Sequence, residues 1–343
     1  MTLINNFNAD EKILKYIDKI ENYLHGSETL ISFELDLTNI CNSLCPKCTG
    51  KKIDQSFLSL PQLMSIISQM KDLNVKSVVI SGGGEPLCSE HFTTALELFY
   101  KANIKVGLNT NGILLANNEV FVGSILNYCE YCRISLDAGS PEMYEVTHGL
   151  DDDDYYKVLS GIKMLMNRKN RYGSLCSIGT GYLTGQETLN GAMNFFKVSN
   201  DLNVDFAQLR PFTGEWINVD DYTKIGKILY PKLIIRSSSH KYCHMNDEVM
   251  RPYNTCHGMY FNTVITADYK MWVCLHHRQN PKYLLGDLNK QSIKEILRSD
   301  RMREVQQLVP NDTDCPLFCR NDAINRTLMG VCCSNDIAHK EFL

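Results

Sequence analysis

Apolar residues recur along this chain in two rhythms that take turns. From residue 31 onward, short runs that are apolar throughout or at alternate positions are followed by longer stretches whose apolar residues lie three and four apart; the first pattern belongs to strands and the second to helices. Strands are predicted at 31–37, 77–81, 105–109, 131–136, 175–182 and 205–209, and helices at 60–73, 91–102, 120–128, 154–168 and 187–202. Six such β-then-α units with short connections predict a parallel sheet with its helices outside. Right-handed crossovers would curl that sheet into a barrel or an open part of one. Ahead of it, Ile13, Leu14, Tyr16, Ile17, Ile20 and Leu24 mark one amphipathic helix stopped near Gly26. Behind it, the alternation ends after Arg210-Pro211. A run from Tyr260 to Cys274, broken at Asp268-Tyr269, reads as a β-hairpin, and Ser292 with Glu295 three residues on opens a further helix. The expected organisation is an N-terminal helix at 1–30, a partial barrel at 31–212 and a small α+β unit at 213–343.

Composition narrows the function classes. The 343 residues are 44% hydrophobic and 22% charged, with a net charge of -4, so the basic footprint of a nucleic-acid binder is missing. No apolar run approaches a membrane span of about 18 residues, and the opening Met1-Thr-Leu-Ile-Asn-Asn lacks the pattern of a secretory signal. A cytoplasmic protein is expected, with no membrane or nucleic-acid partner. In that setting 14 cysteines, several of them clustered, point to metal binding rather than disulfides.

The densest cluster follows the first strand. Cys41, Cys45 and Cys48 offer three thiolates within eight residues. A 4Fe-4S cluster takes four thiolates, so a triplet leaves one iron open, as catalytic rather than structural metal sites do. A structural zinc would want paired cysteines and a fourth ligand nearby, and buried cysteines can also pack as small hydrophobes. The spacing, three residues and then two, resembles the signature of the radical S-adenosylmethionine (SAM) superfamily, as does Gly82-Gly83-Gly84-Glu85 after the second strand. The resemblance implies a partial (βα)6 TIM-like barrel. It also implies a cluster whose open iron chelates SAM, reductive cleavage to a 5'-deoxyadenosyl radical, and a Gly-Gly-Glu loop bonded to the SAM amino group.

Ligands of parallel α/β sheets bind at the carboxyl ends of the strands. Asn109 and Asn111 end the third strand, and Ser135 and Asp137 the fourth. In the family resembled, polar residues at these ends face the cavity, those of the fourth often bonding the ribose hydroxyls; as bare sequence they are equally good turn residues. Gln208 and Arg210 alternate with Ala207 and Leu209, so both lie on one face of the sixth strand. If that face is the interior, Arg210 needs an anionic partner, such as the carboxylate of SAM or of substrate.

A second set of cysteines follows: Cys256 and Cys274 around the hairpin, then Cys315 and Cys319. Their order and spacing resemble the twitch domain, a shortened relative of the SPASM domain, implying one auxiliary 4Fe-4S cluster. The last pair has three intervening residues where two are usual, leaving Cys332, Cys333 and Cys243 as substitutes for Cys319. A structural zinc also fits this spacing. Cys88, Cys129, Cys132 and Cys176 read as buried thiols. Among His244, His257, His276, His277, Tyr260 and Asp268 no catalytic acid or base is singled out.

The resemblance thus implies a radical SAM enzyme that takes hydrogen from its substrate, with net oxidation through the auxiliary cluster and electrons from a donor such as flavodoxin or ferredoxin. With only about 30 residues before the first strand, a peptide-recognition domain is not expected there. A small polar molecule is the expected substrate: a sugar, aminocyclitol or nucleoside. The alternatives are modification of a ribosomal peptide by crosslinking, epimerisation or oxidation, and a metal-binding scaffold without catalysis.

Overall fold

The computed structural model describes residues 12–27, 29–48, 50, 54–212, 214–215, 217–237, 242, 251–311, 313–316 and 319–332, with side chains to 329. Cys243, His244 and Cys333 lie outside the described residues, as does the side chain of Cys332.

Helix α1 (Ile17–Leu24) precedes six strands that follow the predicted rhythm. They are β1 (Ser32–Asp36), β2 (Ser77–Ser81), β3 (Lys105–Thr110), β4 (Cys129–Ser135), β5 (Ser177–Thr184) and β6 (Phe206–Pro211). Between them run α2 (Leu60–Asp72), α3 (Phe92–Lys101), α4 (Glu119–Tyr128), α5 (Pro141–His148), α6 (Asp152–Tyr172) and α7 (Ala192–Asp201). The rhythm continues past Pro211 for one more turn, contrary to the reading that it stops: α8 (Asp220–Leu229) leads to β7 (Ile234–Ser237), which pairs parallel to β6. Strands β1 to β7 lie side by side in chain order, all parallel.

The C-terminal part joins the same sheet at its other edge. Strand β8 (Asn262–Ile265) pairs parallel to β1, and the predicted hairpin β8/β9 (Lys270–Trp272) continues into β10 (Leu284–Asp287), antiparallel to β9. Helix α9 (Ile293–Arg298) opens with the Ser292/Glu295 capping box, α10 (Asp300–Leu308) follows it, and α11 (Arg320–Cys332) ends the described chain. The architecture is α/β: a parallel sheet of partial-barrel type plus a small α+β unit.

The pleat sorts the strand residues. Phe33, Leu35, Val78, Ile80, Val106, Leu108, Cys132, Ile134, Ile178, Ala207 and Leu209 are buried in the helix-covered core. The alternate residues line the inner face, and the strand register stacks them in layers. Asp36 pairs with Ser81, and Asn109 with Arg133, which pairs with Gly179. One step toward the carboxyl ends, Ser135 pairs with Gly181, Gly181 with Gln208 and Gln208 with Arg236. A hydrophobic shell therefore carries a polar, largely charged interior.

Candidate functional site

The Cys41–Cys48 segment leaves β1 and is held on three sides. Thr38 O accepts from Gly84 N and Ile40 O from Glu85 N, both at 2.9 Å, so the glycine loop docks directly on the backbone that leads into the cysteines. A side chain at Gly84 would put its Cβ 2.1 Å from Ile40 O, and one at Gly50 would meet Gly83 O at 2.6 Å; only glycine allows these approaches. His148, buried and stacked on Tyr144, accepts from Leu44 N through its carbonyl. Lys47, between the cysteines, reaches Glu215 at 2.6 Å and Glu187 at 3.5 Å beyond β6 and β5. Within the segment Ser43 Oγ lies 3.1 Å from Cys45 Sγ. Burial pushes the Cys45 thiol up to about 11; Ser43 works against it, while Cys48, Asp137 and Cys41 add to it. An iron that replaces the thiol proton removes that cost.

Glu85 sits at the end of the glycine loop and faces the protein. Its Oε1 accepts from Thr110 Oγ1 at 2.5 Å and Leu87 N at 3.1 Å, and its Oε2 from Asn111 N at 2.7 Å. Burial raises its pKa, opposed by those hydrogen bonds, Asn111 N first. Glu85 thus ties the loop to the end of β3. The Asn111 side chain donates to Asn42 Oδ1 at 2.7 Å, inside the cysteine segment. Asn109 Oδ1 and Asp137 Oδ1 are buried without a partner, and Asp137 adopts φ 47° just past β4. Ser135 O faces His148 Nε2 at 3.0 Å. Gln208 Oε1 accepts from Arg133 Nη1 at 3.1 Å, and Arg210 shares the inner face with it.

A buried charge junction lies under the glycine loop, and the sequence reading missed it. Arg278 donates to Gly82 O at 2.6 Å and Glu34 Oε1 at 2.7 Å, with Asp36 Oδ2 at 3.3 Å; Arg320 Nη2 is 3.1 Å from Glu34 Oε2. Burial pushes Asp36 up to about 6 against the pull of Arg278, with Glu34 adding to the rise. The signal was present in β1 itself, where Glu34 and Asp36 alternate with Phe33 and Leu35.

Cys256, Cys274, Cys315 and Cys319 line one cavity together with Arg251, Tyr253, His277, Asn321 and Asn325. His277 Nε2 lies 3.2 Å from Cys315 Sγ, and Asn325 Nδ2 reaches Cys256 Sγ at 3.6 Å. Burial pushes Cys319 up to about 12 and Cys274 higher, their neighbouring cysteines adding to it. His277 is buried and stacked on Tyr283. Cys129, Cys132 and Cys176 are buried, and Cys88 is half-buried. Among the described residues no group of three His, Cys, Asp or Glu side chains is arranged to hold a single metal ion.

Both cysteine sets fit polynuclear clusters by their donors, and the orphaned atoms Asn109 Oδ1 and Asp137 Oδ1 call for a polar ligand beside the first set. Comparison with known proteins agrees. Residues 35–188 match the radical SAM superfamily, and residues 256–322 match SPASM, an iron-sulfur cluster-binding domain. The chain is a radical SAM enzyme with a C-terminal SPASM domain, and these domains imply 4Fe-4S clusters and SAM as cofactors. It is 25% identical over 293 residues to a probable GTP 3',8-cyclase of Sulfurisphaera tokodaii, covering 76% of this chain and 88% of that protein. It is 26% identical over 108 residues to an S-adenosylmethionine-dependent nucleotide dehydratase of Selenomonas ruminantium, spanning only 39% of that protein. The fold resembles that of Streptococcus suis SuiB bound to precursor peptide SuiA (TM-score 0.66, 14% identity, 94% of this chain and 76% of that one). It also resembles native anSMEcpe with bound AdoMet (TM-score 0.61, 15% identity, 90% and 100%).

Proposed function

We propose that this chain abstracts hydrogen from a small polar substrate, a sugar, aminocyclitol or nucleoside, held on the inner face of its sheet. Bound at the cysteine segment, cluster and SAM supply the chemistry by reductive cleavage to a 5'-deoxyadenosyl radical. In this reading Cys41, Cys45 and Cys48 are the ligands. The Gly82–Glu85 loop, Asn109, Asn111, Ser135 and Asp137 bind SAM, with Gln208 and Arg210 facing SAM or substrate. The auxiliary cluster takes Cys256, Cys274, Cys315 and Cys319. Four thiolates leave it no open iron for substrate, so its role is electron transfer and the net reaction an oxidation, with flavodoxin or ferredoxin as reductant. The domains proposed are the N-terminal helix at 1–30, the partial barrel from 31, whose expected end at 212 moves to Ser237 because β7 pairs with β6, and the C-terminal auxiliary-cluster unit.

The observation that carries the substrate reading is the pair of buried polar atoms on β4 and β6 that stay without partners once SAM takes Asn109 and Asp137: Arg133 Nε and Arg210 Nε. Each costs free energy until a ligand satisfies it, and a small polar molecule bound on the inner face would do so. The names of the cyclase and the dehydratase favour a nucleoside or nucleotide. A second reading, peptide modification, is supported by the precursor peptide bound to a protein of similar fold.

Reduced enzyme and SAM would be offered nucleosides, nucleotides, sugars and aminocyclitols beside short peptides. A rise in 5'-deoxyadenosine with a small polar compound and none with peptides supports the proposal. The reverse pattern replaces it with the peptide reading. No helix among the described residues is long and apolar enough to cross a membrane, and a cytoplasmic setting stays part of the proposal.

A further inference from the structure

Two arginines converge on the inner face, and among the described residues the acid whose charge reaches them is Asp137, just past the end of β4. Arg133 stands on β4 and Arg210 on β6, and the strand between them carries Gly179 and Gly181 on the same face. A Cβ built on Gly181 would lie 3.4 Å from Arg210 Nη2 and 3.5 Å from Arg133 Cδ, so the two side chains meet over a bare stretch of β5. Gln208 accepts from Arg133 at 3.1 Å and fixes its fork. The Nε atoms of both arginines are buried without a hydrogen-bond partner, and among the described residues neither guanidinium is in ion-pair contact with a carboxylate.

Two acids of the inner face are already matched. Glu34 and Asp36 are engaged by Arg278 and Arg320. Arg236, the register partner of Gln208 on β7, lies over the Phe206 ring at 5.0 Å. Burial lowers Arg133 to about 9, the neighbouring charge of Arg210 adding to the fall and Tyr131 and Asp137 opposing it. SAM brings one carboxylate but also an amino group and a sulfonium, so its arrival adds net positive charge. Asp137 alone does not balance two guanidinium groups, so a further anion is called for.

We propose that Arg133 and Arg210, with Gln208 beside them, form an oxyanion site for the substrate, which therefore carries a phosphate or carboxylate group. Two forks set side by side suit the several oxygens of such a group, because guanidinium binds oxyanions in a bidentate manner. This rests on the reading that the inner face binds substrate next to SAM, and it narrows the substrate class from polar to anionic.

The test is calorimetric titration of the full chain, reconstituted anaerobically and loaded with SAM, with inorganic phosphate, pyrophosphate and acetate as probes. Arg133→Gln, Arg133→Lys and the surface variant Lys101→Gln are compared with the native protein. Iron content and circular dichroism check that each variant folds. Saturable phosphate or pyrophosphate binding, weakened at least about tenfold in Arg133→Gln, less in Arg133→Lys and unchanged in Lys101→Gln, supports a phosphorylated substrate. Tighter binding of acetate with the same dependence on Arg133 supports a carboxylate. No binding by native protein, or binding indifferent to Arg133→Gln, overturns the site. So does an Arg133→Gln variant that loses SAM affinity while its phosphate binding is intact. 5'-Deoxyadenosine formation by the native protein is read separately: its absence alongside Arg133-dependent phosphate binding would sink the functional reading and leave the anion site standing.

Discussion

Asp36 is the residue on which burial and charge work most visibly against each other. It is fully buried at the end of β1, and its carboxyl is raised to about 6 even with Arg278 at 3.3 Å. A carboxyl raised on folding holds its proton more tightly in the native state. Its contribution is therefore favourable at low pH and is lost as pH climbs from the ordinary carboxylate range through about 6. Asp36→Asn removes that titration. Between pH 5 and pH 7.5 the variant is expected to gain on the native protein by on the order of 1 kcal/mol, read from thermal or denaturant unfolding at both pH values. A constant gap between the two proteins would contradict the assignment. Asp36 and Arg133 show how much site chemistry could be read from residues alone. Both are charged positions in strands whose alternate residues are apolar, a period-2 signal for the inner face that the sequence reading did not use. Their partners left no such signal, because Arg278 lies more than 240 residues from Asp36 and only the tertiary fold brings it there. Glu85 is a different case. Its place in the motif was plain, but the three hydrogen bonds that turn it toward Thr110, Asn111 and Leu87 depend on how β3 ends.

At the scale of elements, the six strands and five helices with strong periodicity were legible to within a few residues, and the elements that escaped share a physical reason. Helix α5 has good end signals, with Ser140 capping Met143 N, Pro141 in the first turn and Gly149 at φ 64°, but it buries only Tyr144 and His148. Strand β7 is four residues long. Helix α11 buries Asn321, Asp322 and Asn325 beside the auxiliary cavity, so its inward face is polar and a search for apolar periodicity passes over it. The segment from Cys274 to Arg278 matters most for function, since it runs from one cysteine set to the carbonyl of Gly82 under the other. Arg278 is a positioning residue for the glycine loop. Arg278→Lys keeps the charge but loses the fork, and SAM affinity is expected to fall about tenfold with both clusters retained by iron analysis. Arg278→Met leaves Glu34 and Asp36 short of a partner and should cost about 3–5 kcal/mol of stability. Native SAM affinity in the lysine variant and native stability in the methionine variant would together remove Arg278 from this role.

Across the whole molecule, one ten-stranded sheet carries both cysteine sets. The first follows β1, and the second flanks the hairpin whose strand β8 pairs with β1 on its other side. Neighbouring strands thus set the two sites in a fixed relation, and the charge junction of Arg278, Arg320, Glu34 and Asp36 ties β1 to the C-terminal part. The hairpin and its cysteines could be read from sequence, but its continuity with the barrel sheet could not, because strand pairing across some 230 residues leaves no local pattern. In the proposed enzyme Cys41, Cys45 and Cys48 hold a SAM-cleaving cluster and the C-terminal set holds a second one. The most direct test is iron and sulfide content together with 5'-deoxyadenosine formation from SAM, on anaerobically reconstituted, dithionite-reduced protein beside its Cys41, Cys45, Cys48 triple-alanine variant. About eight irons in the native protein, about four in the variant and deoxyadenosine from the native protein alone are the predicted results. Zinc in place of iron, or SAM cleavage that survives loss of the triplet, would contradict the account.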